Sequence, residues 1–254
     1  LDAAGANVPI LLDTKATILL QQGNPAEAVA MLDKAIDCVS WTHRGLPGHL
    51  IWSDHLGDHL CQYLGNSGSP TKGREGNAHH GDPLNRSFPM ISHLGKMCSN
   101  VMGGTDSQRR QGRDAVGITF FGDGGSSTGE IHESLNLAAV LNLPVIFVIE
   151  NNQYAMGTSL QRASSTPDIY TRGASFGIPG EAVDGMDVLA VKEAGARAVE
   201  YCRAGKGPYI LEVKTYRYRG HSMSDPAKYR KREEVDDIRS HNDPIDGLKG
   251  QIIE

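Results

Sequence analysis

The run GDGGSSTGEIHESLNLAAVLNLPVIFVIENN, Gly122 to Asn152, joins the end of one buried strand to a helix and a second strand. Ala115 to Phe121 (AVGITFF) reads as the first strand and leads straight into the glycines, and Val145 to Glu150 (VIFVIE) reads as the second. Between them, Ser126 to Leu141 sets Ile131, Leu135, Ala138 and Ala139 on one side at helical spacing, and Pro144 closes the segment. This is a βαβ unit. In an open α/β sheet, ligands collect outside the carboxyl ends of the strands. Asp123 and Asn152 stand at two such ends and are expected to face one site.

The residue types there suit a particular chemistry. Gly122, Gly124 and Gly125 let backbone N–H groups come close to an anion, and the helix that follows offers its positive N-terminal end. A diphosphate fits such a cradle. Mg²⁺ takes about six hard oxygen ligands, only a few of them from protein. One carboxylate, one amide oxygen and a backbone carbonyl at Gln153 or Tyr154 would serve. A lone Gly-Asp-Gly also fits an ordinary strand-to-helix turn, with the asparagine pair capping another. GDGGSSTG is neither a G-x-G-x-x-G fingerprint nor a P-loop, which argues against the common nucleotide folds.

The 254 residues allow one large domain or a domain with a small appendage. With 25 Lys and Arg against 30 Asp and Glu, the net charge of −5 argues against nucleic acid or an anionic membrane as the main partner. Cys38, Cys61, Cys98 and Cys202 are far apart, with no C-x-x-C pair, so neither a zinc site nor a disulfide framework is expected. No apolar run approaches the roughly 20 residues that span a bilayer, and the start LDAAGANVP has no signal-peptide pattern. The expected location is a bacterial cytoplasm, or a mitochondrial matrix after processing.

Residues 8 to 40 read as a helical hairpin: Leu12, Ala16 and Leu19 mark one face, Gly23-Asn24-Pro25 a stop and restart, and Val29, Leu32 and Ile36 a second face. The domain division expected is therefore 1–40, a hairpin similar to one tetratricopeptide repeat, and 41–254, an α/β domain. After the βαβ unit, a short third strand is expected around Glu181 to Val183. A helix capped by Asp187 should follow, with Val188, Val191, Ala198 and Cys202 on one face and Gly205 at its end. Pro208 to Tyr218 reads as a fourth strand. The repeated strand-helix order predicts a mostly parallel sheet with helices on both faces.

The run GDGGSSTGEIHESLNLAAVLNLPVIFVIENNQYAMGTS resembles the thiamine diphosphate motif, and TYRYRGHSMSDPAKYRKREEV, from Thr215, resembles the active-site loop of 2-oxo acid dehydrogenase α subunits, closest to the bacterial pyruvate type. The resemblance runs strongly from Ala115 to Leu248, is patchy over Leu50 to Asp114, and is not seen before that. It implies a thiamine diphosphate-binding fold, with Mg²⁺ held by Asp123, Asn152 and the Tyr154 carbonyl. The diphosphate would be admitted by Gly122, Gly124 and Gly125. IWSDHLGDHL and GREGNAHHGDPLNRSFPMISHLG are similar to two further family stretches, which place His55, Ser92 and Leu94 at cofactor-contacting positions and Leu56 where the family has a diphosphate-holding arginine. His221 would act near the reacting end, and Ser222 matches a serine that kinases phosphorylate in animal enzymes.

The activity implied is oxidative decarboxylation of a small 2-oxo acid, pyruvate first among them, with acyl transfer to a lipoyl group. The partners implied are a β subunit in an α₂β₂ assembly, which supplies the glutamate that activates the cofactor, and a dihydrolipoyl acyltransferase core. The alternative is a non-catalytic assembly protein with a degenerate cofactor domain, which Leu56 and Asp58 favour and Asp123, Asn152 and His221 oppose.

Overall fold

The computed structural model describes residues 38–253 apart from 43, 44, 46, 47, 50, 51, 53–55, 78 and 84. The expected hairpin lies outside the described residues as far as 37, and so does His55. Where the hairpin was expected to end, Cys38–Ser40 forms a buried strand, β1. Three residues carry no legible period, and it is pairing on both sides that makes them a strand.

The chain continues through α1 (Leu56–Tyr63), β2 (Ser87–Phe88), α2 (Met97–Arg110), β3 (Gly117–Gly122), α3 (Gly129–Val140) and β4 (Val145–Asn151). A small antiparallel ladder of β5 (Tyr154–Ala155) and β6 (Thr158–Ser159) leads to α4 (Leu160–Ala163). Then come β7 (Gly180–Asp184), α5 (Val188–Arg203), β8 (Tyr209–Lys214), α6 (Arg232–His241) and α7 (Pro244–Ile253). Six strands pair in the order β2-β1-β3-β4-β8-β7, every pairing parallel.

A parallel strand covered on both faces must be apolar on both, and β3 and β4 are. Ile118, Phe120, Ile146, Val148, Leu211 and Val213 turn to one side, where α5 packs Val191, Ala194, Ala198 and Cys202 against them. Phe121, Val145, Phe147, Ile149 and Ile210 turn to the other, against Val101 and Met102 of α2 and Ile131, Leu135 and Ala138 of α3. The two sets alternate along each strand, as the period of two requires. The Asp187 carboxylate accepts from the Ala190 N–H at 3.0 Å and caps α5 as expected, and Gly205, at φ 71°, takes the left-handed turn after it. The Cys61, Cys98 and Cys202 thiols are free, and burial pushes those of Cys98 and Cys202 up to about 12.

Two expected boundaries move. The helix after Asp123 begins at Gly129 rather than Ser126, preceded by a 3₁₀ turn, Gly125–Ser127, and an extended Thr128 at φ −75°, ψ 151°. Its hydroxyls explain the break. Ser126 Oγ donates to the Asp123 carbonyl and Thr128 Oγ1 to that of Gly125 at 3.0 Å, which competes with helical bonding. β8 ends at Lys214, short of Tyr218, because its neighbours end opposite it at Asn151 and Asp184.

From β1 the chain passes outward to β2, whereas from β3 it passes the opposite way to β4. The strand order therefore reverses between β1 and β3, and a crevice opens above their carboxyl ends. Trp41 and Thr42 follow β1 there, and Asp123 follows β3. Trp41 stacks on Phe120 with ring centroids 5.1 Å apart and closes one wall.

Behind Trp41 lie three buried histidines. His49, His59 and His80 have ring centroids 4.8–5.9 Å apart, and His59 Nδ1 stands 3.3 Å from His80 Nε2. Among the described residues no group of His, Cys, Asp and Glu is arranged to hold a metal ion. Burial, then the charges of His80 and His59, lowers the His49 pKa to about 3. Burial and His59 also lower that of His80, with Asp82 opposing. Folding thus excludes protons that the unfolded chain binds below about pH 6.5, so this stability is lost as pH falls from there toward 3. One excluded proton costs about 1.4 kcal/mol per pH unit. In urea unfolding between pH 6 and 4, His49→Gln is expected to lose stability less steeply than the parent, by about that slope. Parallel pH profiles would show that the rings are not held neutral.

Candidate functional site

The crevice is a cavity of about 490 Å³, within the range of small-molecule sites. Ser92, Leu94, Gly122, Asp123, Gly124, Gly125, Asn152, Tyr154 and His221 all line it. Every described residue named from the sequence as a site residue is therefore brought to one place. Met90, Ile91, Met97, Phe120 and Phe121 form its apolar walls.

Asp123 is only 4% exposed. Burial is the main influence on its carboxyl and pushes the pKa up, while backbone N–H groups and the Arg217 guanidinium pull the other way. A buried carboxylate held short of full compensation is a group poised for a cation. The Asp123 turn packs directly on the segment that carries the other oxygens. A Cβ on Gly124 would come 2.5 Å from that of Ala155, so glycine is required there by close approach. At Gly122 and Gly125 a Cβ would meet only ordinary contacts with the protein, at 3.9 Å and 3.7 Å.

The Asn151-Asn152 pair divides its labour. Asn151 is buried, its amide donating to Glu212 Oε1 at 2.6 Å and its Oδ1 accepting from the Gln153 N–H at 3.0 Å. It is a structural pin. Asn152 lines the cavity, and its Oδ1 accepts from the Tyr154 N–H at 3.3 Å, a bond that uses one of its two lone pairs. Gln153 and Met156 both take positive φ, 70° and 55°, which turns the backbone sharply. Of the two carbonyls left open by sequence, that of Gln153 accepts from the Leu160 N–H at 2.9 Å, whereas that of Tyr154 accepts from Arg217 Nη2 at 2.8 Å. A carboxylate, an amide oxygen and a carbonyl make a hard-oxygen donor set that suits Mg²⁺.

The loop after β8 folds back over this turn. The His221 N–H donates to Asp225 Oδ2 at 2.7 Å, the Tyr229 hydroxyl donates to the same oxygen at 2.8 Å, and the Tyr229 ring stacks on Tyr154 at 4.6 Å. Arg230 Nη2 donates to the Asn152 carbonyl at 2.8 Å, with its guanidinium 4.0 Å over the Tyr216 ring. Of the Arg230, Lys231 and Arg232 run, Arg230 thus belongs to the site's frame. Ser222 is exposed, its hydroxyl 3.0 Å from that of Ser224.

Sequence reasoning missed Arg217, the lone Arg or Lys among the described residues lining the cavity, as well as Trp41, Thr42 and Glu150. Arg217 lies in TYRYRGHS, three residues past a strand end, and that position was the available signal. His79 Nε2 lies 2.9 Å from Ser92 Oγ and holds that wall. Leu56 is corrected. It opens α1 at 58% exposure and is not among the residues lining the cavity, because the helix turns it outward. Leu56→Arg is accordingly expected to change cofactor affinity by no more than about twofold, as for surface substitutions in general. A tenfold gain on titration would restore the diphosphate contact expected for that position.

A parallel sheet whose strand order reverses beneath a cavity with oxygen donors is an open α/β ligand-binding fold. A putative thiamin diphosphate-dependent enzyme from Mycobacterium smegmatis shares the fold at a TM-score of 0.51 and 18% identity, over 76% of this chain and 31% of that one. The chain belongs to the dehydrogenase E1 component family, whose model matches residues 14–254. That match starts inside the segment read as a hairpin, well before Leu50, so the family likeness reaches further than the motifs alone suggested. Pyruvate dehydrogenase E1 component subunit alpha of Rhizobium meliloti is 49% identical over 195 residues, 77% of this chain and 56% of that relative. The subunit of the same name from Zymomonas mobilis is 46% identical over 76% of this chain and 55% of its own length. The somatic mitochondrial form of Homo sapiens is 53% identical over 56% of this chain and 36% of its own. The chain spans about half the length of the two bacterial relatives. Among the described residues no helix is long and apolar enough to cross a membrane.

Proposed function

We propose that this chain provides the Mg²⁺ and diphosphate half of the cofactor site of a pyruvate-type 2-oxo acid dehydrogenase, as its α subunit. The observation that carries the reading is the meeting of Asp123, Asn152, Tyr154 and His221 on one cavity at the switch point of the sheet. Asp123 supplies the charge that holds the ion, with the Asn152 amide oxygen and the Tyr154 carbonyl as neutral ligands. Gly124 and Gly125 present backbone N–H groups to the diphosphate. Ser92 and Leu94 would contact the cofactor, the apolar walls would exclude water, and His221 would act near its reacting end. Thiamine diphosphate, when bound, supplies the electron sink for decarboxylation, and the protein's part is binding, orientation and electrostatics.

Among the described residues we assign none to the cofactor's aminopyrimidine. The likeness to E1 component subunits named alpha supports a β subunit for that half, with a dihydrolipoyl acyltransferase core downstream. We assign residues 1–40 to a helical appendage, except that Cys38–Ser40 belong to the sheet as β1.

The test is calorimetric titration with thiamine diphosphate in the presence and absence of Mg²⁺, followed by mixing with a β subunit. Binding should require the metal. Pyruvate-dependent reduction of an artificial acceptor should appear only in the mixture. A chain that binds neither ligand and gains no activity with any β subunit would support the non-catalytic reading instead.

A further inference from the structure

Ser92, on the cavity wall, ends a chain of three side chains with a chemistry of its own. Its Oγ lies 2.9 Å from His79 Nε2, and His79 Nδ1 lies 3.4 Å from Glu75 Oε1. The carboxylate favours the tautomer with its proton on Nδ1, which leaves Nε2 to accept the serine proton. Both supporting residues stand on braced backbone. The Glu75 carbonyl accepts from Gln62 Nε2 at 3.0 Å and from Thr71 Oγ1 at 3.3 Å, and Gln62 is fully buried. His80, next to His79, is buried in the histidine cluster, 3.3 Å from His59. Ser92 itself is exposed, so a small reagent can reach it. A hydroxyl within hydrogen-bond reach of an imidazole that a third group orients is the arrangement that activates a serine nucleophile.

We propose that Ser92, His79 and Glu75 form a second catalytic site, which takes short activated acyl esters or thioesters and passes the acyl group to water. Ser92 Oγ bonds to the acyl carbonyl carbon as its proton passes to His79 Nε2, and the carbonyl π pair moves onto oxygen. That pair returns as the bond to the leaving alkoxide or thiolate breaks, and the imidazolium gives the leaving group its proton. Water then repeats the sequence on the acylated serine, releasing the acid and restoring the hydroxyl. His79 is the base, and Glu75 is a positioning residue that acts through it. Met90, Ile91 and Met97 offer the short acyl chain an apolar wall. Leu94, two residues beyond Ser92, faces Gly125, where a Cβ would come 3.7 Å from its own. The anion cradle thus borders the serine's loop, and the backbone donors that suit a phosphate suit an oxyanion as well. This activity goes beyond the cofactor reading and does not depend on it.

The probe is p-nitrophenyl acetate. It is mixed with the full chain without added cofactor, p-nitrophenolate release is followed by absorbance, and peptide mass spectrometry locates the acetyl group. A burst of release with acetyl on Ser92 is expected. Ser92→Ala should lose both the burst and the adduct, and His79→Gln should slow acylation about a hundredfold or more, the lower end of a general base's contribution. Glu75→Gln keeps the length of the side chain and should lower kcat about tenfold with KM unchanged, a split that mere support of the wall would not produce. Circular dichroism checks that each variant is folded. Acetyl found only on other side chains, or release that is unchanged in Ser92→Ala, overturns the proposal. Saturating Mg²⁺ and thiamine diphosphate should suppress the labelling by covering Ser92. Labelling that the cofactor leaves untouched upholds the nucleophile and counts against the cofactor reading. A chain that binds the cofactor but is never acetylated at Ser92 does the reverse.

Discussion

Asp123→Asn should abolish Mg²⁺-dependent binding of thiamine diphosphate and, in the same protein, raise the stability of the ligand-free fold. The first effect follows from charge. Asparagine keeps the shape of the side chain but leaves the ion facing neutral oxygens beside a polyanion, and the loss should reach at least about a hundredfold, the scale of 2.7 kcal/mol. The second follows from burial. At 4% exposure the carboxyl is pushed above its usual range, so the ionised form is a strain on the ion-free fold. Removing it should raise the urea midpoint at neutral pH. Calorimetry and denaturation together separate this from simple misfolding, which would lower both. Metal-dependent binding that survives in Asp123→Asn would falsify the placement of the ion.

Glu212→Ala should cause the largest stability loss of any change beneath the site. Glu212 is fully buried in β8, accepting from the Asn151 amide at 2.6 Å through Oε1 and from the Tyr170 N–H at 2.9 Å through Oε2. Alanine leaves both donors without this acceptor, at about 1–3 kcal/mol each, for a total of roughly 2–6 kcal/mol. The turn that carries Asn152 and Tyr154 hangs from Asn151, so metal binding should weaken as well, even though Glu212 is not a cavity-lining residue. Glu212→Gln keeps one acceptor and should lose about half as much. An alanine variant with a parental denaturation midpoint would show that Asn151 is held by other means.

The site was legible in sequence where chemistry and secondary structure coincide. Asp123 and Asn152 each sit one residue beyond a strand, and in a parallel sheet that placement alone puts them on the ligand face. The alternation in ITFF and VIFVI likewise follows from burial on both faces, and the Asp187 cap from one side-chain oxygen reaching a nearby N–H. Sequence separation is short in each case, so local geometry is nearly sufficient.

Tertiary structure decided what depends on distant partners. β1 is three residues long and exists only because β2 and β3 pair with it on either side. Leu56 matched a family arginine in a short run of letters, yet α1 carries it to the surface. The partners of the Gln153 and Tyr154 carbonyls are Leu160 and Arg217, the second of them 63 positions from Tyr154. Arg217 shows the physical reason most plainly. A long, flexible cation takes its place from whichever acceptors the fold brings within about 3 Å, and no local pattern in the chain encodes which carbonyls those will be.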